Sequence, residues 1–172
     1  RYMIEDGCLD GVDEIYGIHV WNYQPFGEVG VKSGPVMASA DLFDIKIKGI
    51  GGHGAAPQGT VDAIIVASNL VQALQTIVSR SLPLTEAGAV VTIGSIHGGV
   101  RSNIIPEDLY MLGTIRTLDN GMKATVLKRL EEIVHNVAKS NNIESKITYL
   151  VSYPITFNDP YLYEEILPTL ER

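Results

Sequence analysis

The chain has 172 residues, 45% apolar and 19% charged, the balance of a globular fold rather than a disordered or fibrous one. Thirteen basic against twenty acidic side chains leave a net charge of −7, with no basic run or basic–aromatic stripe, so nucleic acid is excluded as an expected partner. The single cysteine, Cys8, rules out an internal disulfide framework and fits a reducing, cytoplasmic compartment, and no apolar stretch reads as a membrane span.

The first residues, Arg1-Tyr2-Met3-Ile4-Glu5-Asp6-Gly7, read as the last turns of a helix with glycine beyond its end. Glu14 to Val20 is a short apolar run after the turn at Asp10-Gly11, which suits a buried strand of an α/β sheet ending near His19. Pro25 and Gly27 break the pattern, and Glu28 to Ala40 is expected to be extended. From Ala40 to Lys48 the chain alternates. Phe43, Ile45 and Ile47 fall on one face and Asp44, Lys46 and Lys48 on the other, the pattern of a half-buried antiparallel strand.

That strand runs into Gly49-Ile50-Gly51-Gly52-His53-Gly54-Ala55-Ala56-Pro57, four glycines and a proline around one histidine. The period then changes to that of an amphipathic helix, from about Val61 to Ser79, with Thr60 as its expected cap and Asp62 near its positive end. Strands follow at Ala89 to Ile96 and Leu109 to Thr117. Asp119 or Asn120 caps a second helix whose stripe is Met122, Val126, Leu127, Leu130, Ile133, Val134 and Val137. Lys146 to Ser152 is a fourth strand, and Asn158-Asp159-Pro160 starts a third helix. From Ala40 to Tyr153 the order is β-α-β-β-α-β, a ferredoxin-like arrangement of α+β class. It predicts a four-stranded antiparallel sheet with two helices on one face and edge strands free to pair with another subunit.

Few residues carry chemistry. Of the four histidines, His19, His53, His97 and His135, none forms a metal-ligand pair at helical spacing. His135 reads as solvated and His97 as a turn residue. His19 ends a strand where ligands and metals gather, so ligand and packing readings stand even. His53 is either a solvated turn histidine or a presented functional group. Asn103 makes an Asx-type turn before Pro106 or lines a site. Arg116, at a strand end, is either a surface ion-pair partner or a carboxylate clamp.

Taken together, several stretches in order closely resemble the aminoacylase/hippurate hydrolase family of dinuclear-metal amidohydrolases, which includes indole-acetyl-amino-acid hydrolases. They are Tyr16-Gly17-Ile18-His19-Val20, Gly51-Gly52-His53-Gly54-Ala55-Ala56-Pro57, Leu74-Gln75-Thr76-Ile77-Val78-Ser79-Arg80, Asn103-Ile104-Ile105-Pro106 and Gly113-Thr114-Ile115-Arg116. The resemblance covers essentially the whole chain. It implies a ferredoxin-like lid, often a dimerisation domain, inserted in an α/β catalytic domain. Residues 1–36 would end the first catalytic segment, 37–155 form the lid, and 156–172 begin the return. By similarity His19 is a metal ligand. His53 is the lid histidine that reaches a neighbouring subunit's site and hydrogen-bonds the scissile carbonyl. Asn103 and Arg116 hold the substrate, with Arg116 on its carboxylate.

The full-length enzyme would carry two divalent ions, zinc or manganese, and hydrolyse N-acyl-amino acids to an amino acid and a carboxylic acid. It would act as a homodimer through the lid, without nucleic acid or membrane. The family's upstream Cys/Asp-x-His motif, its Glu-Glu pair and its downstream histidine ligand are absent from these residues. Gln58 stands where many members have histidine and Ala63 where many have proline. The chain is therefore expected to be a piece of a longer one, to hold no complete metal site and to be inactive alone. The alternative is a self-associating ferredoxin-like module with no catalysis.

Overall fold

The computed structural model describes residues 2–171, so the readings placed on Arg1 and Arg172 lie outside it. The chain divides into two compact units at Val31/Lys32. In the first, a short helix α1 (Tyr2–Glu5) ends at Gly7, whose φ of +83° suits glycine. The apolar run from Glu14 to Val20, expected as a buried strand, is not one. No strand among the described residues pairs with it, and Ile18 and Val20 are 99% and 87% exposed. A strand of an α/β sheet is buried only by its neighbours and covering helices, and these residues have neither.

The second unit carries the expected β-α-β-β-α-β order. Its elements are β1 (Gly34–Met37), β2 (Ala40–Lys48), β3 (Gly52–His53), α2 (Ala63–Ser81), β4 (Ala89–Gly98), β5 (Ile104–Ile105), β6 (Asp108–Thr117), α3 (Asn120–Ser140), β7 (Glu144–Tyr153), β8 (Thr156–Asn158) and α4 (Pro160–Leu170). The main sheet has the order β4-β6-β2-β7, antiparallel throughout. Helix α2 connects β2 to β4 across β6, and α3 connects β6 to β7 across β2, which is the split βαβ topology.

Strand parity decides which face is covered. Phe43, Ile45 and Ile47 of β2 and Leu109, Met111 and Ile115 of β6 are buried against Val66, Leu70, Leu74 and Ile77 of α2 and Val126, Leu130 and Val134 of α3. Gly113 is required here, because a Cβ on it would lie 2.2 Å from Phe43 Cζ, and the Phe43 ring occupies that space. Helix α2 has the length and apolar composition of a membrane span, yet its buried stripe lies in this core. Its cap is Asp62, not the expected Thr60. Asp62 Oδ1 accepts the N–H groups of Ile64 and Ile65 at 2.8 and 3.4 Å, while the Thr60 hydroxyl turns back to the Pro57 carbonyl at 2.8 Å. A carboxylate is the stronger acceptor for the positive end of a helix.

The opposite face of the sheet is open. His97, expected in a turn, lies in β4 on this face, its ring stacked on Tyr110 at 4.7 Å. Two short ribbons complete the unit. β1 pairs antiparallel with β8, so the chain enters and leaves side by side. β3 pairs antiparallel with β5.

Candidate functional site

The glycine loop after β2 is tied down on both sides. Gly49 N–H donates to the Glu107 carbonyl at 2.7 Å, and Ile50 exchanges two backbone hydrogen bonds with Val61, at 3.1 and 3.0 Å. A Cβ at Gly49 would lie 2.2 Å from the Val61 carbonyl oxygen, so only glycine fits the crossing. The loop then pairs with β5. His53 stands opposite Ile104, and Gly54 N–H donates to the Asn103 carbonyl at 2.8 Å. Residues fifty apart in sequence, His53 and Asn103, are thereby brought to one corner.

His53 is exposed at that corner, and its Nδ1 accepts the Ala55 N–H at 3.1 Å. The Ala56 N–H closes the turn on the His53 carbonyl at 2.8 Å. Among the described residues its Nε2 makes no hydrogen bond.

Arg116 is elsewhere. β6 runs continuously from Asp108, beside the glycine loop, to Thr117. Arg116 lies eight residues along it from Asp108, about 26 Å at a strand's rise of about 3.3 Å per residue. Its Nη1 donates to the Ile115 carbonyl at 2.9 Å and to the Thr114 hydroxyl, and it has no ion pair among the described residues. Of the three residues singled out in this part of the sequence, the structure brings His53 and Asn103 to one corner and sets Arg116 apart.

His19 belongs to the first unit and is described by itself. It is exposed, its Nδ1 lies 2.6 Å from the Val20 carbonyl, and its ring lies 4.9 Å from that of Trp21. An Nδ1–H held by a carbonyl directs the Nε2 lone pair outward, which is the chemistry of a metal-ligating histidine.

Sequence reading missed a buried polar cluster beside Arg116. Asp41, 2% exposed, accepts from Lys123, Ser152 and Ser39, and Ser39 Oγ lies 3.1 Å from Thr117 Oγ1. A signal existed, since Asp41 shares the inward parity of Phe43 and Ile45.

Residues 39–142 match the family model of the peptidase dimerisation domain of M20 peptidases. The chain belongs to this M20 family. N-acetyl-L-cysteine deacetylase of Bacillus subtilis is 39% identical over 158 residues, 91% of this chain and 38% of the relative. N-acyl-L-amino acid amidohydrolase of Geobacillus stearothermophilus is 35% identical over 156 residues, 91% of this chain and 42% of the relative. Among solved structures, the YXEP protein of Bacillus subtilis, described as a dinuclear metal-binding peptidase of the M20 family, superposes with a TM-score of 0.76 at 29% identity, over 99% of this chain and 42% of its own. The chain thus spans about two fifths of the curated M20 relatives it matches.

His19 presents an imidazole with its Nδ1 at the Val20 carbonyl, a donor type that can ligate a metal. Among the described residues no three His, Cys, Asp or Glu side chains gather as a metal site. The described residues by themselves do not compose a dinuclear centre.

Proposed function

We propose that this M20 chain is the lid and dimerisation portion of an amidohydrolase that cleaves N-acyl-amino acids to an amino acid and a carboxylic acid. In this reading residues 37–155 are the lid, and residues 1–36 and 156–172 lead out of and back into the catalytic domain. The side-by-side entry and exit at the β1–β8 ribbon supports an inserted domain. The zinc or manganese pair belongs to the whole enzyme, with His19 as one ligand from this chain. His53 donates to the scissile carbonyl oxygen, where a preorganised donor is worth most as negative charge develops. Asn103 assists it, and Arg116 clamps the substrate carboxylate.

One observation carries the reading furthest. An N-acyl-amino acid separates its amide oxygen from its carboxylate by only about 5 Å. About 26 Å of strand separates Arg116 from Asp108, which lies beside the glycine loop that carries His53, and this argues against one lid holding both ends of the same molecule. Two lids related by a two-fold axis solve this, each lending its His53–Asn103 corner to the partner's site. The edge for such a dimer is β4. Both edges carry one register shift, but β7 carries Glu144 and Lys146 whereas β4 has no Asp, Glu, Lys or Arg. Ile64, Ile65, Ile96 and Val100, on β4 and the elements beside it, are exposed apolar side chains that a partner would cover.

The test is complementation in the full-length parent. Chains bearing His53→Ala and chains bearing Arg116→Ala are each expected to be nearly inactive. Randomly mixed, they should recover about a quarter of native activity, because half the dimers then contain one intact site. No recovery on mixing would refute the exchange. A parent that folds and dimerises but never hydrolyses acyl-amino acids would favour the plain self-association module, which the uncharged β4 edge also supports.

A further inference from the structure

We infer that the backbone N–H of Ala55 is a positioning group: it fixes His53 in the tautomer that carries its proton on Nε2. The inference deepens the proposed role of His53 as a donor and rests on that reading for its meaning, though not for its geometry.

A neutral imidazole has one donor and one acceptor nitrogen, and the hydrogen bond at one decides the other. His53 Nδ1 accepts from Ala55 N at 3.1 Å, two residues on, the local loop that Asp and Asn side chains form in an Asx turn. The Nδ1–H tautomer would set two donors against each other there. It would also turn a lone pair, rather than a proton, toward an oxyanion.

The Ala55 amide cannot swing away. Gly54 N–H is spent on the Asn103 carbonyl and Ala56 N–H on the His53 carbonyl, both at 2.8 Å. Three consecutive amides thus each fix one thing: the partner strand, the ring and the turn. A Cβ at Gly54 would meet the Asn103 carbonyl oxygen at 3.3 Å, a close approach that glycine avoids. The result is a donor set before any substrate arrives, with no need for a charged ring.

The experiment is ring-nitrogen NMR on the 172-residue chain, histidine-labelled with ¹⁵N, without metal or substrate, at a pH where His53 is neutral. The expected spectrum shows Nε2 protonated and Nδ1 bare. Placing lactic acid at position 55 exchanges the N–H for an ester oxygen without altering the side chain. It should lower the tautomer ratio roughly tenfold, the worth of one neutral hydrogen bond. Ala55→Gly keeps the N–H and should keep the ratio. Ala55→Pro removes the N–H by a second route and should reproduce the ester, with β3 and β5 amide signals reporting that the ribbon is intact. A native chain with Nδ1 protonated or both tautomers mixed, or an ester that leaves the ratio unchanged, overturns the inference. Because no substrate is present, failure of the hydrolase reading would appear elsewhere, as a parent enzyme whose turnover ignores His53.

Discussion

Asp41→Asn tests the polar cluster at the end of the sheet nearest the β1–β8 ribbon, where the chain enters and leaves this domain. Asp41 Oδ1 accepts from Lys123 Nζ at 2.8 Å and Ser152 Oγ at 2.6 Å, and Oδ2 accepts from Ser39 Oγ at 3.0 Å. One carboxylate therefore joins the lead-in to β2, the first turn of α3 and the end of β7. Burial pushes the Asp41 carboxyl up, but hydrogen bonds from Lys123, Ser152 and Ser39, with the Lys123 charge, outweigh it and hold it below the ordinary carboxylate value. The amide would leave Lys123 without its anion. A fully buried pair broken this way costs roughly 3–5 kcal/mol, and the Lys123 side chain keeps 18% exposure through which water can reach it, so about 2–3 kcal/mol is expected. A depressed folded-state pKa contributes stability that is complete above the unfolded value, about 3.9, and is lost as pH falls through the folded value. Urea unfolding of native and variant chains should thus show the full penalty at neutral pH and a smaller one at an acid pH below about 3.9, shrinking further as pH falls. An equal penalty at both pH values, or one under about 0.5 kcal/mol at neutral pH, would refute the assignment of the cluster as an ion-paired clasp.

Gly113→Ala should destabilise the domain by at least about 2 kcal/mol, because the new Cβ falls 2.2–2.7 Å from three Phe43 ring atoms; urea unfolding that shows a loss under about 0.5 kcal/mol would mean the ring moves freely. Asp44→Val should do the opposite. Asp44 is 7% exposed, its Oδ2 has no hydrogen-bond partner, and a β-branched residue suits a strand, so a gain of about 1–2 kcal/mol in the same assay is expected. Thr92→Lys combined with Ile65→Glu places charge on the β4 edge and on the exposed side of α2; sedimentation should show monomers with an unchanged circular dichroism spectrum, and persistence of dimers would move the interface off β4.

The architecture was legible because its signals are local and repeated. The parity of Phe43, Ile45 and Ile47, the three- and four-residue spacing from Met122 to Val137, and the caps Asp119 and Asp159 each specify an element without help from the rest. Thr60 misled because two acceptors stand two residues apart, and only the fold shows which one meets the first helical amides. The run from Glu14 to Val20 misled for a different reason: an apolar strand is defined by neighbours, and periodicity does not reveal whether they are present. Motif order found His53, Asn103 and Arg116 but said nothing of their distances. Pairing of β3 with β5 joins the first two, and the length of β6 separates the third. The Ala55 amide has no side-chain signature at all. Its role is set by backbone direction, which the sequence alone expresses only as a cluster of glycines.

The dimerisation domain should also stand as a cassette. Every residue of its hydrophobic core lies between Phe43 and Ile143, and neither α1 nor α4 buries a residue. The entry and exit strands close on each other through β1 and β8, with Asn158 Nδ2 donating to the Lys32 carbonyl at 2.8 Å, so the two ends are held near together without α4. A chain reduced to residues 32–158 loses helix α4 and the first unit but keeps every residue of that core. Its urea midpoint should lie within the range of a surface change, about 0.5 kcal/mol, of the 172-residue chain. If the reduced chain instead unfolds several kcal/mol more easily, α4 or the first unit stabilises the sheet through contacts that burial does not reveal, and the lid cannot be an independently folding insert. An unchanged midpoint would mean that residues 32–158 fold as one unit on their own, with the His53 corner and the Arg116 end carried on the same sheet.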